Sequence, residues 1–544
     1  VTSDAGNSPP RSAMSAGGAL GAMYAAPAST RKIATTPMRL RSMQAAAALG
    51  AGAAAAILAV ISASVPRLVA VALFGGAVVL ITMAVIGQPE RVLLGLVLLD
   101  IPMQLDVNLF YNHEAAALGA YGGLSVSLTT LALAALYLRR GARVLLGRDN
   151  RADPLPARLW LPLAVSVALV ALSCLVAEDT GLALRWAALL VENLLLYVYL
   201  LRFLRTATEI RFVVVLLIVG LLGESWYILV QWVTHSEASQ PAAAYTPGQP
   251  QATPARQRAT GTFGSPNSAG VYLATFLPVA AAVLLGVRER FLRGLAACAF
   301  VVGSLALLLT FSRGGWLGFT IATTVTIMIF VRRGRTRSDL VVAVVSVLAV
   351  ALVLLHNLVF VRLLGTDDGA AASRVPLMRI AVQIIEQHPF TGVGANNFTV
   401  ALREFFTPEF AQTWLYTVHN DYLRVLAEVG IVGLLAYLWF LIAAVQLARR
   451  AVRSQSALVS AAATGCYAAL LARFVEMNVD LFSGRLEVQS LTVLASLAAA
   501  LCRMTYSGVA WPAASRAAGS GRPVQHVPFH RRSAATCQAA HSYR

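Results

Sequence analysis

At positions 419–421 the chain reads His-Asn-Asp, directly ahead of the apolar run YLRVLAEVGIVGLLAYL. An imidazole near a helix N-terminus meets a partial positive charge that opposes its protonation and favours a bound anion. A neutral imidazole there can take a proton from a hydroxyl. Asn420 and Asp421 are residue types that cap helices. From His419, Leu423, Leu426, Gly430 and Gly433 follow on one helical stripe, whose glycines would let a neighbouring helix approach closely. The competing reading is a plain cap beside an interfacial histidine, and spacing alone does not separate the two.

Three arginines could complement such a base. Arg258 lies in RATGTFGSPNSAG, Arg313 in TFSRGGWLG and Arg374 in ASRVPLM. Guanidinium forks suit phosphate oxygens. Among carboxylates, Asp480 in EMNVDLFSG lies near a helix end, where it would orient a substrate, pair with an arginine or stand solvated. Asp367 and Asp368, adjacent in a Gly/Ala loop, read as solvated, and His113 with Glu114 has no further support. No DxD or His/carboxylate cluster suggests a divalent metal. The cysteines Cys174, Cys298, Cys466, Cys502 and Cys537 show neither CxxC nor Cys/His spacing, so neither a disulfide framework nor zinc is indicated.

The elements that must position these groups are membrane spans. The 544 residues are 58% hydrophobic and 12% charged, with mean hydropathy +0.69; a soluble chain carries roughly 25% charge. The net charge of +18 suggests nucleic acid at first sight, but the basic residues stand in short clusters between apolar runs, as in cytoplasmic membrane loops. Lys32 is the only lysine, which points to genomic base composition as the source of the arginine excess. Apolar segments near 44–63, 67–86, 91–110, 122–138, 157–176, 182–203, 210–233, 268–286, 291–311, 314–331, 339–359, 422–447, 455–475 and 486–502 approach or exceed spanning length. These are fourteen candidate spans, with twelve the alternative if some are hairpins or tilted pieces. The predicted fold class is an all-α polytopic membrane protein of 12–14 transmembrane helices with a large outer loop containing an amphipathic helix.

With the N-terminus in the cytoplasm, even-numbered connections should be basic. They read RRGARVLLGRDNRADPLPAR, RFLRTATEIR, VRERFLR, RRGRTR and RRAVRSQ, QPER being weaker, whereas AEDTG and YNHEAAALGAYG on the other side are poor in arginine. The expected organisation is a disordered cytoplasmic N-terminus (1–43), a first helical bundle (44–233), a periplasmic loop (234–267), further spans (268–359), a large periplasmic loop (360–421), the last spans (422–502) and a disordered cytoplasmic tail (503–544). Arg31, Lys32, Arg39 and Arg41 before the first apolar run resemble a signal anchor. Within the large loop, Leu377, Ile380, Ala381, Ile384 and Ile385 recur with helical period opposite Arg379, Gln383 and Glu386, predicting an amphipathic helix over 376–388. Pro389 ends it, TGVGANNF forms a turn, and Phe405, Phe406, Phe410, Trp414 and Tyr416 suit the headgroup level. On this topology Arg258, Arg313 and Arg374 lie on the face that should lack basic residues, so each needs a reason. Anion binding is one; an ordinary snorkelling or loop arginine is the other, and Arg67, Arg362, Arg403 and Arg485 share that face.

Taken in order, RATGTFGSPNSAG, LLLTFSRGGWLG, SRVPLMRIAVQIIEQHPFTGVGANNF and HNDYLRVLAEVGIVGL resemble the O-antigen ligase and polymerase superfamily. Met378 departs from the family pattern, where tryptophan is common. The resemblance implies a helical, GT-C-like, lipid-dependent glycosyltransferase of the bacterial inner membrane with its active site on the periplasmic side. It further implies an undecaprenyl-pyrophosphate-linked O-antigen as donor, lipid A-core as acceptor, and no cofactor or metal. In that frame His419 is the base, Arg258, Arg313 and Arg374 hold the pyrophosphate, and Asn420, Asp421 and Asp480 support them. Direct displacement would invert the anomeric carbon. An O-antigen polymerase and a protein O-oligosaccharyltransferase are the alternatives within the superfamily, and a transporter is the distant one.

Overall fold

A computed structural model describes residues 87–147, 155–234, 258–334, 370–405 and 416–506, with isolated positions between 341 and 353. The candidate spans 44–63 and 67–86 and most of 339–359 lie outside the described residues, as do both termini, most of the 234–267 loop, Asp367, Asp368, Phe406, Phe410 and Trp414. The chain divides into two compact units, Val1–Pro89 and Glu90–Arg544, and nearly all described residues belong to the second.

The described residues form α1 (Pro89–Met103), β1 (Asp106–Leu109), α2 (His113–Ala117), β2 (Leu124–Ser127), α3 (Leu128–Leu145), α4 (Ala157–Ser173), α5 (Thr180–Phe203), α6 (Ala207–Thr234), α7 (Pro266–Gly286), α8 (Arg290–Leu309), α9 (Arg313–Arg332), α10 (Ala370–Gln387), α11 (Phe398–Ala401), α12 (Asp421–Ala451), α13 (Ala457–Glu476) and α14 (Arg485–Tyr506). Eight of these, α5 to α9 and α12 to α14, are long and apolar enough to cross a membrane. The protein is an all-α polytopic membrane protein. Among the described residues the one departure is a two-stranded antiparallel ribbon pairing β1 with β2, Asp106 opposite Ser127.

That ribbon corrects two expectations. The candidate span 91–110 stops being helical at Met103, where Gln104 takes a positive φ of 48° and the Asp100 side chain accepts from the Leu105 amide at 3.1 Å. The candidate span 122–138 begins as strand, and its helix starts only at Leu128, behind a capping box made by Ser127 and Thr130. Apolar residues in both stretches satisfy their backbone groups across a ribbon rather than along a helix.

The centre of the bundle is α7, which packs against α8, α9 and α13. Its sequence PNSAGVYLATFLPVAAAVLLG carries no charge, and 89% of its most apolar window is buried, against 39% for α9. Small residues permit this closeness: a Cβ on Gly465 of α13 would lie 2.5 Å from the Val279 Cα. The helices at the periphery instead present apolar side chains outward, such as Leu435 and Trp439 of α12.

Successive spans alternate in direction. The N-termini of α5, α7, α9, α12 and α14 therefore gather at one end with the C-termini of α6, α8 and α13. Backbone contacts tie that end together: Ala259 N to Leu309 O at 3.1 Å, Asp421 N to Met477 O at 2.8 Å and Thr417 N to Leu118 O at 2.8 Å. Exposed arginines, including Arg143, Arg288, Arg290, Arg332, Arg449 and Arg450, belong to the opposite end.

Helix α10 buries Leu377, Ile380, Ala381 and Ile384 against Phe398, Leu402, Val418 and Ala427, leaving Arg379, Gln383 and Glu386 exposed. The turn after it enters α12. Val393 N donates to Ala427 O at 2.9 Å, Gly394 N to Glu428 O at 2.9 Å and Ile431 N to Pro389 O at 2.9 Å. These bonds bridge a break in α12 at Gly430, whose φ of 73° and ψ of −177° lie in a region that only glycine occupies readily. A Cβ there would stand 2.1 Å from the Phe390 carbonyl oxygen. The Gly430 stripe thus meets a loop, not the neighbouring helix that its spacing suggested.

Candidate functional site

His419 stands one residue before the N-cap of α12. Asn420 is that cap, its side chain accepting from Leu423 N at 3.0 Å. Asp421 is not a second cap: it is buried and accepts from Arg424 at 3.0 and 2.6 Å and from the Tyr437 hydroxyl at 3.2 Å. Arg424 also reaches Glu428 at 2.9 Å, so the first turns of α12 carry a buried acid–base–acid triad. Its presence follows from desolvation: a buried guanidinium needs partners on each side.

His419 is only 5% exposed, with its ring 5.4 Å from that of Tyr416. Burial first, and the nearby positive charge of Arg374 second, lower its pKa from 6.5 to about 4, against the opposing effect of a hydrogen bond with the Thr417 backbone. The imidazole is therefore neutral at physiological pH. The segment 416–419 is pressed against the turn at Gly119, where a Cβ would stand 2.8 Å from both Tyr416 and Thr417.

Asp480 is the point on which the arginines converge. It lies in the α13–α14 connection, is 6% exposed, and is close enough to Arg374, Arg258 and Arg473 for each to stabilise its carboxylate. Burial outweighs them and raises its pKa. The solvated-carboxylate reading of Asp480 fails on that burial. Arg313 opens α9 behind the Ser312 cap, which accepts from Gly315 N at 3.2 Å. Its neighbour Gly314 backs directly onto Asp480: a Cβ there would lie 3.3 Å from Oδ2. Arg258 is held in place, donating to Thr310 O at 3.1 Å, Asn267 Oδ1 at 2.8 Å and Phe311 O at 3.3 Å. Arg374 is half-buried near the start of α10 and acts electrostatically on both His419 and Asp480. The connection is itself anchored to the start of α12, with Asn420 Nδ2 donating to Asn478 O at 3.3 Å.

Two residues of this cluster escaped the sequence reading. Arg473 of α13 is 1% exposed, donates to the Thr275 hydroxyl at 2.7 Å and stacks 4.4 Å from the Phe482 ring centroid. Glu476, one turn later, fits beside Gly318 of α9, where a Cβ would stand 1.6 Å from its Oε1. Glycines at 314 and 318 thus open a notch in α9 that takes the carboxylates of Asp480 and Glu476. The signal was available: ionisable residues inside an apolar run are functional candidates, and LLARFVEMNVD carries them. Arg485, grouped with ordinary outer arginines, is instead buried against Asp100, with Asp106 at 3.7 Å. Arg403 is exposed beside Glu114 at 3.4 Å.

Chemically, the cluster joins guanidinium groups, helix N-termini and a neutral imidazole, a combination suited to holding an anion beside a hydroxyl that loses a proton. Among the described residues no three His, Cys, Asp or Glu side chains group as metal ligands.

Residues 298–438 match the family model described as O-antigen ligase. That stretch contains Arg313, Arg374, His419, Asn420 and Asp421, with Arg258 before it and Asp480 after it. No curated protein matches the chain. This matching stretch, which runs from α8 into α12 of a multi-pass helical architecture, supports placing the chain in the O-antigen ligase/polymerase superfamily.

Proposed function

We propose that the protein is an O-antigen ligase of the bacterial inner membrane. It moves O-antigen from undecaprenyl pyrophosphate to a sugar hydroxyl of lipid A-core, on the periplasmic face, without a metal. The observation that carries this reading is the neutral, buried His419 beside Arg374, with Asp480 joining Arg374 to Arg258 and the α9 terminus.

In this reading the lipid pyrophosphate lies against Arg258, Arg313 and Arg374. Negative charge grows on it as the glycosidic C–O bond breaks, and fixed cations stabilise that charge without reorganising. His419 takes the proton of the acceptor hydroxyl as its oxygen attacks the anomeric carbon from the opposite side, so the configuration inverts. The activated pyrophosphate bond supplies the driving force. Asp480 keeps the arginines apart and oriented between turnovers, and Asn420 and Asp421 fix the end of α12 that presents His419. The concentration of exposed arginine at the opposite end of the bundle supports a periplasmic placement of the site.

Deletion in the native host tests the assignment. Loss of a ligase leaves complete core lacking O-antigen. Core bearing a single repeat unit would instead assign the chain as a polymerase.

A further inference from the structure

A cleft of about 360 Å³ opens between the C-terminal end of α10, the turn that follows it, and the short helical segment after Asn397. It is separate from the His419 cluster. Gln387 stands thirteen residues beyond Arg374 on α10, about 20 Å along a helix at 1.5 Å per residue. Apolar residues, Val400 and Phe405 among them, line it together with an exposed polar rim of Gln387, His388, Glu178 and Glu404. Its volume falls in the range of small-ligand sites, which combine apolar walls with a few convergent polar groups.

We propose that this cleft is a glycan subsite that holds a stretch of the donor polysaccharide distant from the reacting sugar. The inference rests on the glycosyl-transfer reading for the identity of its occupant. A sugar ring offers an apolar C–H face to Val400 and Phe405 and hydroxyl donors to the carboxylates and amide of the rim, which are acceptors. Two glutamates on the rim disfavour phosphorylated or uronic-acid sugars and favour neutral or amino sugars. The site is built on rigid supports, because the turn that forms one wall is hydrogen-bonded into the Gly430 break of α12. A chain whose pyrophosphate lies at Arg374 and which follows α10 reaches the cleft after several sugars. The subsite would therefore distinguish long donors from short ones while leaving the reacting centre untouched.

The test uses the full-length protein in detergent and, as probe, the oligosaccharide released from the native lipid-linked donor by mild acid. The variants are the double substitution Gln387→Ala/Glu404→Ala, at exposed positions, and Val400→Trp, which adds bulk to the lining. Wild type is expected to bind the probe, and the double variant to bind it roughly tenfold more weakly, as for two lost hydrogen bonds. Val400→Trp should lose binding similarly, and both variants should turn over a donor carrying a single repeat unit at the wild-type rate. Equal binding by wild type and variants overturns the subsite, as does preferential capture of lipid-free core oligosaccharide. Binding is read without turnover. Cleft-dependent binding by a protein that transfers nothing would count against the transfer reading alone, and transfer without cleft-dependent binding would count against the subsite alone.

Discussion

His419 remains neutral for two reasons, burial first and the charge of Arg374 second. The sign of the pH dependence follows. A base must be unprotonated, so activity persists as pH falls through the ordinary histidine range near 6.5 and declines only on approach to about 4. Arg374→Gln removes the second cause, so the acid limb of its residual activity should move to higher pH; a pH–rate profile of wild type and variant measures this, and an unchanged limb would contradict it. His419→Ala should lower turnover by about 10² to 10⁴-fold, the usual worth of a general base, while sparing membrane insertion and donor binding. Arg313→Lys keeps charge but loses the fork, and a fall in activity of roughly tenfold is expected in a transfer assay. Turnover by Arg313→Lys equal to wild type would remove the fork as a requirement.

Helix α12 owes its form to a break that a loop repairs. Any side chain at Gly430 must accept a backbone conformation that costs about 1–3 kcal/mol and also displace Phe390. Gly430→Ala should therefore lower thermal stability in detergent, and an unshifted melting transition would show that the break is not required. Arg424→Met leaves Asp421 and Glu428 buried without their cation, a loss of roughly 3–5 kcal/mol, larger than that of the glycine change. The apolar face of α10 was legible from its period, and Asn420 as a cap from its type, because both follow from local rules. The Gly430 break was not legible: a glycine spaced for helix contact looks the same whether a helix or a loop approaches. Arg473 and Glu476 were legible as ionisable residues in an apolar run, but their partners, like that of Arg485, were hidden for a related reason. Their pairing with Thr275, Gly318 and Asp100 joins residues far apart in sequence, and spacing along one helix carries no trace of it. Asp106–Leu109 was misread because an apolar run does not report the hydrogen-bond pattern: the segment is a largely exposed ribbon strand.

At the scale of the whole molecule, the two ends of the bundle differ in how they hold arginine. Arg473, Arg485 and Arg424 are buried at the His419 end, Arg258, Arg313 and Arg374 are half-buried and Arg379 and Arg403 exposed, whereas at the other end exposure is the rule, as for Arg143, Arg290 and Arg449. Exposed clusters set orientation, while buried ones need partners or a ligand. In a cysteine-free background, cysteine at 404 should react with an impermeant maleimide from the periplasmic side and cysteine at 290 should not; the reverse pattern would place the site in the cytoplasm. The central claim is that His419 and the neighbouring arginines pass a glycan from lipid pyrophosphate to a hydroxyl. Its most direct measurement is transfer by purified protein given lipid-linked O-antigen and rough lipopolysaccharide, with and without chelator. The account predicts inverted, chelator-insensitive product from wild type and about 10² to 10⁴-fold less from His419→Ala. Equal product from His419→Ala, or its disappearance on adding chelator, would contradict it.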